Sequence, residues 1–299
     1  MKKISYYLLW FFTGIFILVP FRLLYMFSDF IYIIFYYVIG YRKKVVFRNL
    51  RKSFPEKTED ELKTIAKGFY HHLCDVFLES LKAFTISEEE VVRRYKLINS
   101  EFLDQLYEQK RSVIAVAGHF GNWEWGGMAA GAQMKHLPVG FYKPFSNPYT
   151  DAFVRKRRVK GRSILVSITD TQAVFKKYSD QTSAYYMIAD QSPSSTRLAY
   201  WVQFMNQDTA VLHGPEKYAR HYNYPVVYVD IQKVKRGYYT FEFILLSDQP
   251  ATTQPAEITT RFVNILEEKI RKKPQFYLWS HRRWKLKRVT ESPSDRVTK

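Results

Sequence analysis

His119 and Glu124 stand five positions apart in the run Ala117-Gly118-His119-Phe120-Gly121-Asn122-Trp123-Glu124, beside two glycines. An imidazole is the side chain best poised to accept a proton near neutral pH, and a carboxylate on its other ring nitrogen fixes the tautomer and steadies the cation that forms. Such a pair makes a hydroxyl nucleophilic. On one regular helix, residues five apart lie roughly 140° apart around the axis and face away from each other. A turn must therefore bring them together, and Gly118 and Gly121 permit the backbone angles and close approaches this requires. Taken alone, the spacing also suits a surface or core histidine beside an unrelated helical glutamate.

The flanking residues say where the pair sits. Ser112-Val113-Ile114-Ala115-Val116-Ala117 is a short β-branched run that reads as a buried strand, and residues 122–134 are small and apolar enough for a tightly packed helix. His119 is thus expected at a strand-to-helix turn. Strands near 138–142, 163–167, 184–189, 226–231 and 239–246 alternate with helical segments at 149–160 and 171–178. This alternation predicts an α/β fold with a mostly parallel central sheet flanked by helices, and ligands of such sheets meet the carboxyl ends of strands. Upstream, a capping-box pattern at 58–61 opens a long helix with the apolar stripe Leu62, Ile65, Phe69, Leu73, Val76, Phe77, Leu81 and Phe84, and residues 87–90 begin another.

With 299 residues, 46% of them hydrophobic and 17% aromatic, the chain can build a sizeable core and is not a disordered protein. Its net charge of +18 calls for an anionic partner: phospholipid, an acidic carrier protein or nucleic acid. The N-terminus favours a membrane. Residues 4–21 hold no charge and match a bilayer-spanning helix in length. A second apolar stretch at 23–41 is broken by Asp29 and follows Arg22, which suits an interfacial helix or re-entrant hairpin better than a second span. Tyrosine and tryptophan are dense here, as at a headgroup boundary. Arg42, Lys43, Lys44, Arg48, Arg51 and Lys52 then suit a cytoplasmic side, with Lys2 and Lys3 pulling the other way. No small-residue cleavage site ends the apolar run, which speaks against a cleaved signal peptide. Cys74 is the single cysteine, which excludes an intramolecular disulfide or cysteine zinc site and fits a reducing, cytosol-facing body. In its amphipathic helix it reads as a small core residue. The expected division is an anchor at 1–41, a single transmembrane helix or an interfacial hairpin, then a body at 42–288 and a flexible polar tail at 289–299.

Four further blocks carry possible chemistry. Lys143-Pro144-Phe145-Ser146-Asn147-Pro148 leads into a basic helix with Arg155, Lys156, Arg157, Arg158 and Lys160, closing at Gly161. It is either a solvated face or a helix that turns one arginine inward onto a phosphate or a thioester-linked donor. Met187-Ile188-Ala189-Asp190-Gln191-Ser192-Pro193 sets an acid and an amide after an apolar strand, where Asp190 also suits a turn or cap. Phe204-Met205-Asn206-Gln207-Asp208-Thr209, then His213-Gly214-Pro215-Glu216-Lys217, ends in a helix start able to hold an anion, with His213 and Thr209 facing it or lying on the surface. In Gln275-Phe276-Tyr277-Leu278-Trp279-Ser280-His281-Arg282-Arg283-Trp284-Lys285 an aromatic strand meets a basic cluster, suited equally to RNA bases or a membrane interface.

In this order the blocks resemble the lipid A late acyltransferases, the bacterial lauroyl/myristoyl transferases within the wider lysophospholipid and glycerolipid acyltransferases. The likeness covers nearly the whole chain: the apolar N-terminus, then "GYRKKVVFRNLRKSFPEKTEDEL", "AGHFGNWEW", "KPFSNPYTD", "ADQSP", "FMNQDTAVLHGPEKYA" and "FYLWSHRRWK". It implies a glycerolipid acyltransferase-like fold and an O-acyltransferase of the bacterial inner membrane, its catalytic body facing the cytoplasm. Such an enzyme moves a fatty acyl group from an acyl carrier protein or coenzyme A thioester to a hydroxyl of a lipid A precursor, with no metal and no cofactor. By position, His119 and Glu124 match the family's H-x4-D/E catalytic pair, with His119 as general base. The family's arginine maps best to Arg157, with its neighbour Arg158 left open. Asp190 and Gln191 match the acidic block, and Gly214, Pro215 and Glu216 a block that shapes the donor or acceptor site. "ADQSPSS" and "FMNQDTAVLHGPEK" depart from the enterobacterial versions, which leaves acyl length and acceptor open. A lysophospholipid, glycerol phosphate or amino lipid acceptor is the alternative. The expected partners are acyl carrier protein, the lipid acceptor and an anionic membrane, not nucleic acid, for which no motif is present.

Overall fold

A run such as Val113–Ala117, buried at every position, belongs at the centre of a parallel sheet covered on both faces. In the computed structural model, which describes residues 2–159 and 161–288, it does. Four helices come first: α1 (Lys2–Leu18), α2 (Phe21–Ile33), α3 (Lys43–Ser53) and α4 (Glu59–Lys82). Then follow α5 (Glu88–Arg94), β1 (Tyr95–Leu97), α6 (Glu101–Glu108), β2 (Val113–Ala117), α7 (Trp123–Gln133), β3 (Leu137–Tyr142), α8 (Pro148–Arg158) and β4 (Ile164–Ser167). The chain continues through α9 (Thr171–Lys177), β5 (Ser183–Ile188), β6 (Ala199–Phe204), β7 (Gln207–Leu212), α10 (Gly214–Tyr222), β8 (Val226–Lys235), β9 (Tyr238–Ser247) and α11 (Glu257–Lys272). Lys160 and the expected tail at 289–299 lie outside the described residues.

Seven strands form one sheet in the order β1-β9-β8-β2-β5-β3-β4. Every neighbouring pair is parallel except the β8–β9 hairpin. Alternation along β2 feeds two cores: Ile114 and Val116 pack with α4 and α11 on one face, and Val113, Ala115 and Ala117 with α7 on the other. The sheet and its flanking helices agree with the expected α/β class. The separate β6–β7 hairpin was not expected. Its turn, Met205-Asn206, holds both residues at positive φ, +52° and +61°, without the glycine that usually marks such a turn.

Helix α4 begins with the expected capping box, Thr58 and Glu61 each serving the other's backbone amide. Leu62, Phe69 and Val76 are buried, as its apolar stripe predicts, but Phe77 is half-exposed. The same helix buries a polar row, His72, Asp75, Glu79 and Lys82, spaced to share one face. Partners for this row come from far along the chain. Asp75 accepts from Ser28 on α2 (2.8 Å) and from Lys233 (3.2 Å) and Arg236 (2.6 Å) at the β8–β9 tip. Arg236 also reaches Asp29 at 2.6 Å. Lys82 donates to the carbonyls of Phe16 and Val19, which closes the carboxyl end of α1.

The N-terminal stretches fall differently from expectation. The first helix ends at Leu18, and Pro20 starts α2. Among the described residues, the helical run long and apolar enough to cross a membrane is Phe21–Val38, with 18 residues and a mean hydropathy of 1.4. Asp29, read from the sequence as an interruption, is tied to Arg236 on the body. Leu24, Ser28 and Tyr32 face the body, while Leu23, Met26, Phe27, Phe30 and Ile33 are exposed.

Candidate active site

The chain leaves β2 at Ala117 and enters α7 at Trp123 through a turn in which two glycines pass close against neighbouring side chains. A Cβ on Gly118 would stand 2.7 Å from Leu266, and Gly121 has φ +65° with Ile231 2.7 Å from the same kind of added atom. Both approaches are closer than side-chain carbons tolerate. Asn122 caps α7, its Oδ1 accepting from the Trp125 amide at 3.0 Å. The segment read from sequence as an aromatic strand is instead a 3₁₀ turn, Pro274–Phe276, and an irregular run. It clips the His119 turn from outside. The Gly121 amide donates to Phe276 O at 3.0 Å and the Leu278 amide to His119 O at 3.1 Å. Arg42 and Asn49 hold this segment in turn, through Ser280, Trp279 and His281 carbonyls.

Asp190, not Glu124, is the carboxylate on the imidazole. His119 Nδ1 lies 2.5 Å from Asp190 Oδ1. The reason is the sheet: β2 and β5 are parallel neighbours with Ala117 opposite Ile188, and the Ala189 amide donates to Ala117 O at 3.0 Å. Residues two positions past each strand end therefore meet. With Asp190 ionised, Nδ1 carries the proton and Nε2 is the free base. The Gln191 amide stands 2.9 Å from Nε2 and can donate to its lone pair. Burial alone raises the Asp190 carboxyl, but the charge and hydrogen bond of His119, with the Arg283 guanidinium, hold it well below the usual carboxylate range. Arg283 is itself buried and lies over the Phe204 ring at 5.0 Å. Partial burial, with the charge of Arg283 and against that of Asp190, pushes the half-buried His281 down to about 4.

Glu124 occupies the first turn of α7 and is paired with Arg158, at the end of α8. The arginine that turns inward is thus Arg158. Arg157, favoured by sequence position, lies over Phe153 and reaches the Phe84 carbonyl at 3.4 Å. Glu124 and Arg158 are the charged walls of a cavity of about 130 Å³. Its other walls are mostly apolar, among them Ala117, Met128, Phe141, Met187, Val229 and Ile231. Trp123 also lines it, and its ring centroid is 5.0 Å from that of His119.

Gly214 and Glu216 are brought to neither His119 nor this cavity. Glu216 is buried and accepts from the Ala256 amide at 2.7 Å and from Thr259 N and Oγ1 at 2.8 and 2.6 Å, which fastens the start of α11. Gly214 begins α10, and Thr209 accepts from the Trp284 indole at 2.8 Å. Two of the residues around the turn, His72 and Glu79, belong to no expected site, and Arg283, read from sequence only as part of a basic cluster, lies instead beside Asp190.

A histidine held by an acid and set beside an apolar cavity at a strand end is an arrangement for activating a hydroxyl. The bacterial lipid A biosynthesis acyltransferase family matches residues 1–286, almost the full chain. The chain belongs to this family. It is similar to the lipid A biosynthesis lauroyltransferase of Escherichia coli (strain K12), at 26% identity over 82% of this chain and 79% of that protein. It also resembles the lipid A biosynthesis acyltransferase of Haemophilus influenzae, at 23% identity over 85% of this chain and 80% of the relative. The palmitoleoyltransferase of lipid A biosynthesis from E. coli K12 is 20% identical over 84% and 81% of the two chains. This lipid A acyltransferase homologue is therefore an acyl-transferring enzyme.

Proposed function

We propose that this enzyme moves a fatty acyl group from an acyl carrier protein thioester to a hydroxyl of a lipid A precursor, with His119 as general base steered by Asp190. The observation that carries the reading is the 2.5 Å contact between His119 Nδ1 and Asp190, beside an apolar cavity with a charged rim. The names of the relatives support the acceptor.

In the reaction, His119 Nε2 takes the hydroxyl proton as the oxygen attacks the thioester carbon. The C–O bond forms, the carbonyl oxygen becomes an oxyanion, and Asp190 steadies the imidazolium. Collapse restores the carbonyl and breaks the C–S bond, and Nε2–H returns the proton to the leaving thiolate. No covalent acyl-enzyme is formed. General-base help is worth about 10²- to 10⁴-fold in rate. Arg158, which already faces a carboxylate, is the fixed cation suited to the oxyanion. The donor chain lies in the apolar cavity beside Trp123.

The net charge of +18 attracts an acidic carrier protein, a phosphorylated glycolipid and an anionic bilayer alike. Exposed Trp10 and Phe11 on α1, with Met26, Phe27 and Phe30 on α2, form the face that rests on the cytoplasmic leaflet of the inner membrane. The test is mass spectrometry of lipids from a deletion strain. Loss of one acyl group from lipid A, restored by the wild type and not by His119→Ala, is expected. Unchanged lipid A with altered phospholipids overturns the acceptor.

A further inference from the structure

Glu79 lies in none of the sequence blocks that point to chemistry and is fully buried, and its carboxyl gathers three side-chain donors. Its Oε1 accepts from the Tyr25 hydroxyl at 2.8 Å. Its Oε2 accepts from Asn122 Nδ2 at 2.7 Å and from the Tyr239 hydroxyl at 2.8 Å. Its backbone carbonyl accepts from the Trp125 indole at 2.9 Å. Three elements thus converge on one side chain: α2 through Tyr25, β9 through Tyr239 and the start of α7 through Asn122.

Asn122 is the residue that matters for His119. Its amide nitrogen is spent on Glu79, and that bond leaves Oδ1 aimed at the Trp125 amide, where it caps α7. The backbone between Asn122 and His119 is held on its other side by Phe276 and Leu278, while His72 of α4 faces Gly121 O at 3.3 Å. Of these supports, the side chain of Asn122 is the one that ties the turn to a buried carboxyl group. A general base works within a hydrogen-bond length of its proton, and a misplacement of about 1 Å costs on the order of 10²-fold in rate.

We propose that Glu79 is a positioning residue of acyl transfer: it fixes Asn122 and so the His119 turn, and its bond to Tyr25 makes the seating of α2 part of the same linkage. The proposal rests on His119 being the base. Its consequence is that the apolar helix does more than hold the enzyme at a surface. Two hydrogen bonds and one side chain separate Tyr25 from Asn122, so loosening α2 loosens the catalytic turn.

The experiment is steady-state kinetics of the full-length enzyme with lauroyl acyl carrier protein and a phosphorylated, hydroxyacylated glucosamine disaccharide. It compares Tyr25→Phe, Asn122→Ala, their double variant, Glu79→Gln and Glu79→Leu, with folded protein quantified by circular dichroism. Asn122→Ala is expected to lower kcat about 10- to 100-fold with KM for the thioester within about 3-fold. Tyr25→Phe, which deletes one hydroxyl and keeps the packing, is expected to lower kcat about 3- to 10-fold. Because both act through Glu79, the double variant should be no slower than Asn122→Ala. Glu79→Gln retains acceptor and shape and should stay within about 3-fold of wild type, whereas Glu79→Leu should fall with Asn122→Ala or fail to fold. Folded Asn122→Ala or Tyr25→Phe with wild-type kcat, or losses that multiply in the double variant, overturns the proposal. A His119→Ala control separates the two readings: if it stays active, the assignment of the base is wrong, whereas if it alone is inactive, the role of Glu79 is wrong.

Discussion

Asp190 reaches Nδ1 of His119 across 2.5 Å from a position 71 residues later in the chain, because each follows the end of one of two adjacent parallel strands. The carboxylate five residues away, Glu124, is turned toward Arg158. Two acids near one histidine therefore have separable duties. Asp190→Asn keeps the shape but, on the proposed mechanism, removes the charge that fixes the tautomer and steadies the imidazolium. It should fold normally and lose about 10²- to 10⁴-fold in kcat. Glu124→Gln should lose much less, since it leaves Nδ1 paired. Equal losses, or a fully active Asp190→Asn, would contradict this division.

Arg158 should behave as a stabiliser of developing negative charge. Arg158→Ala is expected to lower kcat by about 10²- to 10³-fold, and Arg158→Lys to recover part of it, because an ammonium lacks the planar fork. Arg157→Ala, whose guanidinium rests on Phe153, should change kcat less than about 3-fold. The comparison of kcat among the three variants decides which arginine acts.

The strand, the glycine turn and the helix around His119 were readable because each has a local signature: a β-branched run, two glycines at a tight passage and a small, apolar helical stretch. The histidine's partner was not, because nearness along a chain says little about contact across a parallel sheet. Asp190 was noticed as an acid after a strand, yet its target depends on β2 and β5 being neighbours, which no local pattern reveals. The polar row on α4 was hidden for a related reason. A row such as His72, Asp75, Glu79 and Lys82 reads as a solvated face unless Ser28, Tyr25 and Arg236 are known to lie against it. The aromatic 275–279 run looked like a strand by composition, but Pro274 opens a 3₁₀ turn there.

The cavity should set donor length. Met128 is buried and forms part of its wall. Met128→Ala opens space, so competition among acyl carrier protein thioesters should shift toward longer chains, at a stability cost of about 2–5 kcal/mol. Ile188→Trp, at a partly exposed wall position, should shift the profile toward shorter chains. An unchanged profile in both variants would place the acyl chain elsewhere.

Glu79 also predicts a dependence of stability on pH. Burial, then the charge of Asp75, pushes its carboxyl up from 4.5 to about 7, against the hydrogen bonds of Tyr25 and Tyr239 and the charge of Lys233. A carboxyl with a raised folded pKa keeps its proton longer in the native state. Its contribution is intact below pH 4.5 and is lost as pH climbs through about 7. At about 1.4 kcal/mol per pKa unit, the rise amounts to at most roughly 3–4 kcal/mol. Glu79→Gln cannot ionise, so its stability relative to wild type should increase between pH 4.5 and pH 8. Urea unfolding of both proteins across that range gives the difference directly, and a constant difference would mean that Glu79 is ionised throughout.

The exposed row on α2 should govern membrane binding separately from charge. Met26, Phe27 and Phe30 are each more than half-exposed, and burying such a side chain is worth about 1.5–3 kcal/mol. Flotation with vesicles containing anionic phospholipid should therefore fall at least about 10-fold for Met26→Glu/Phe30→Glu. Salt tests the other component, because exposed charges are largely screened beyond about 10 Å at 0.1 M. Raising ionic strength should weaken wild-type binding without abolishing it, since the apolar contribution persists. For the double variant, whose remaining attraction is mainly electrostatic, the same salt should release nearly all protein from the vesicles. If wild type and variant float equally at every salt concentration, α2 does not lie on the bilayer.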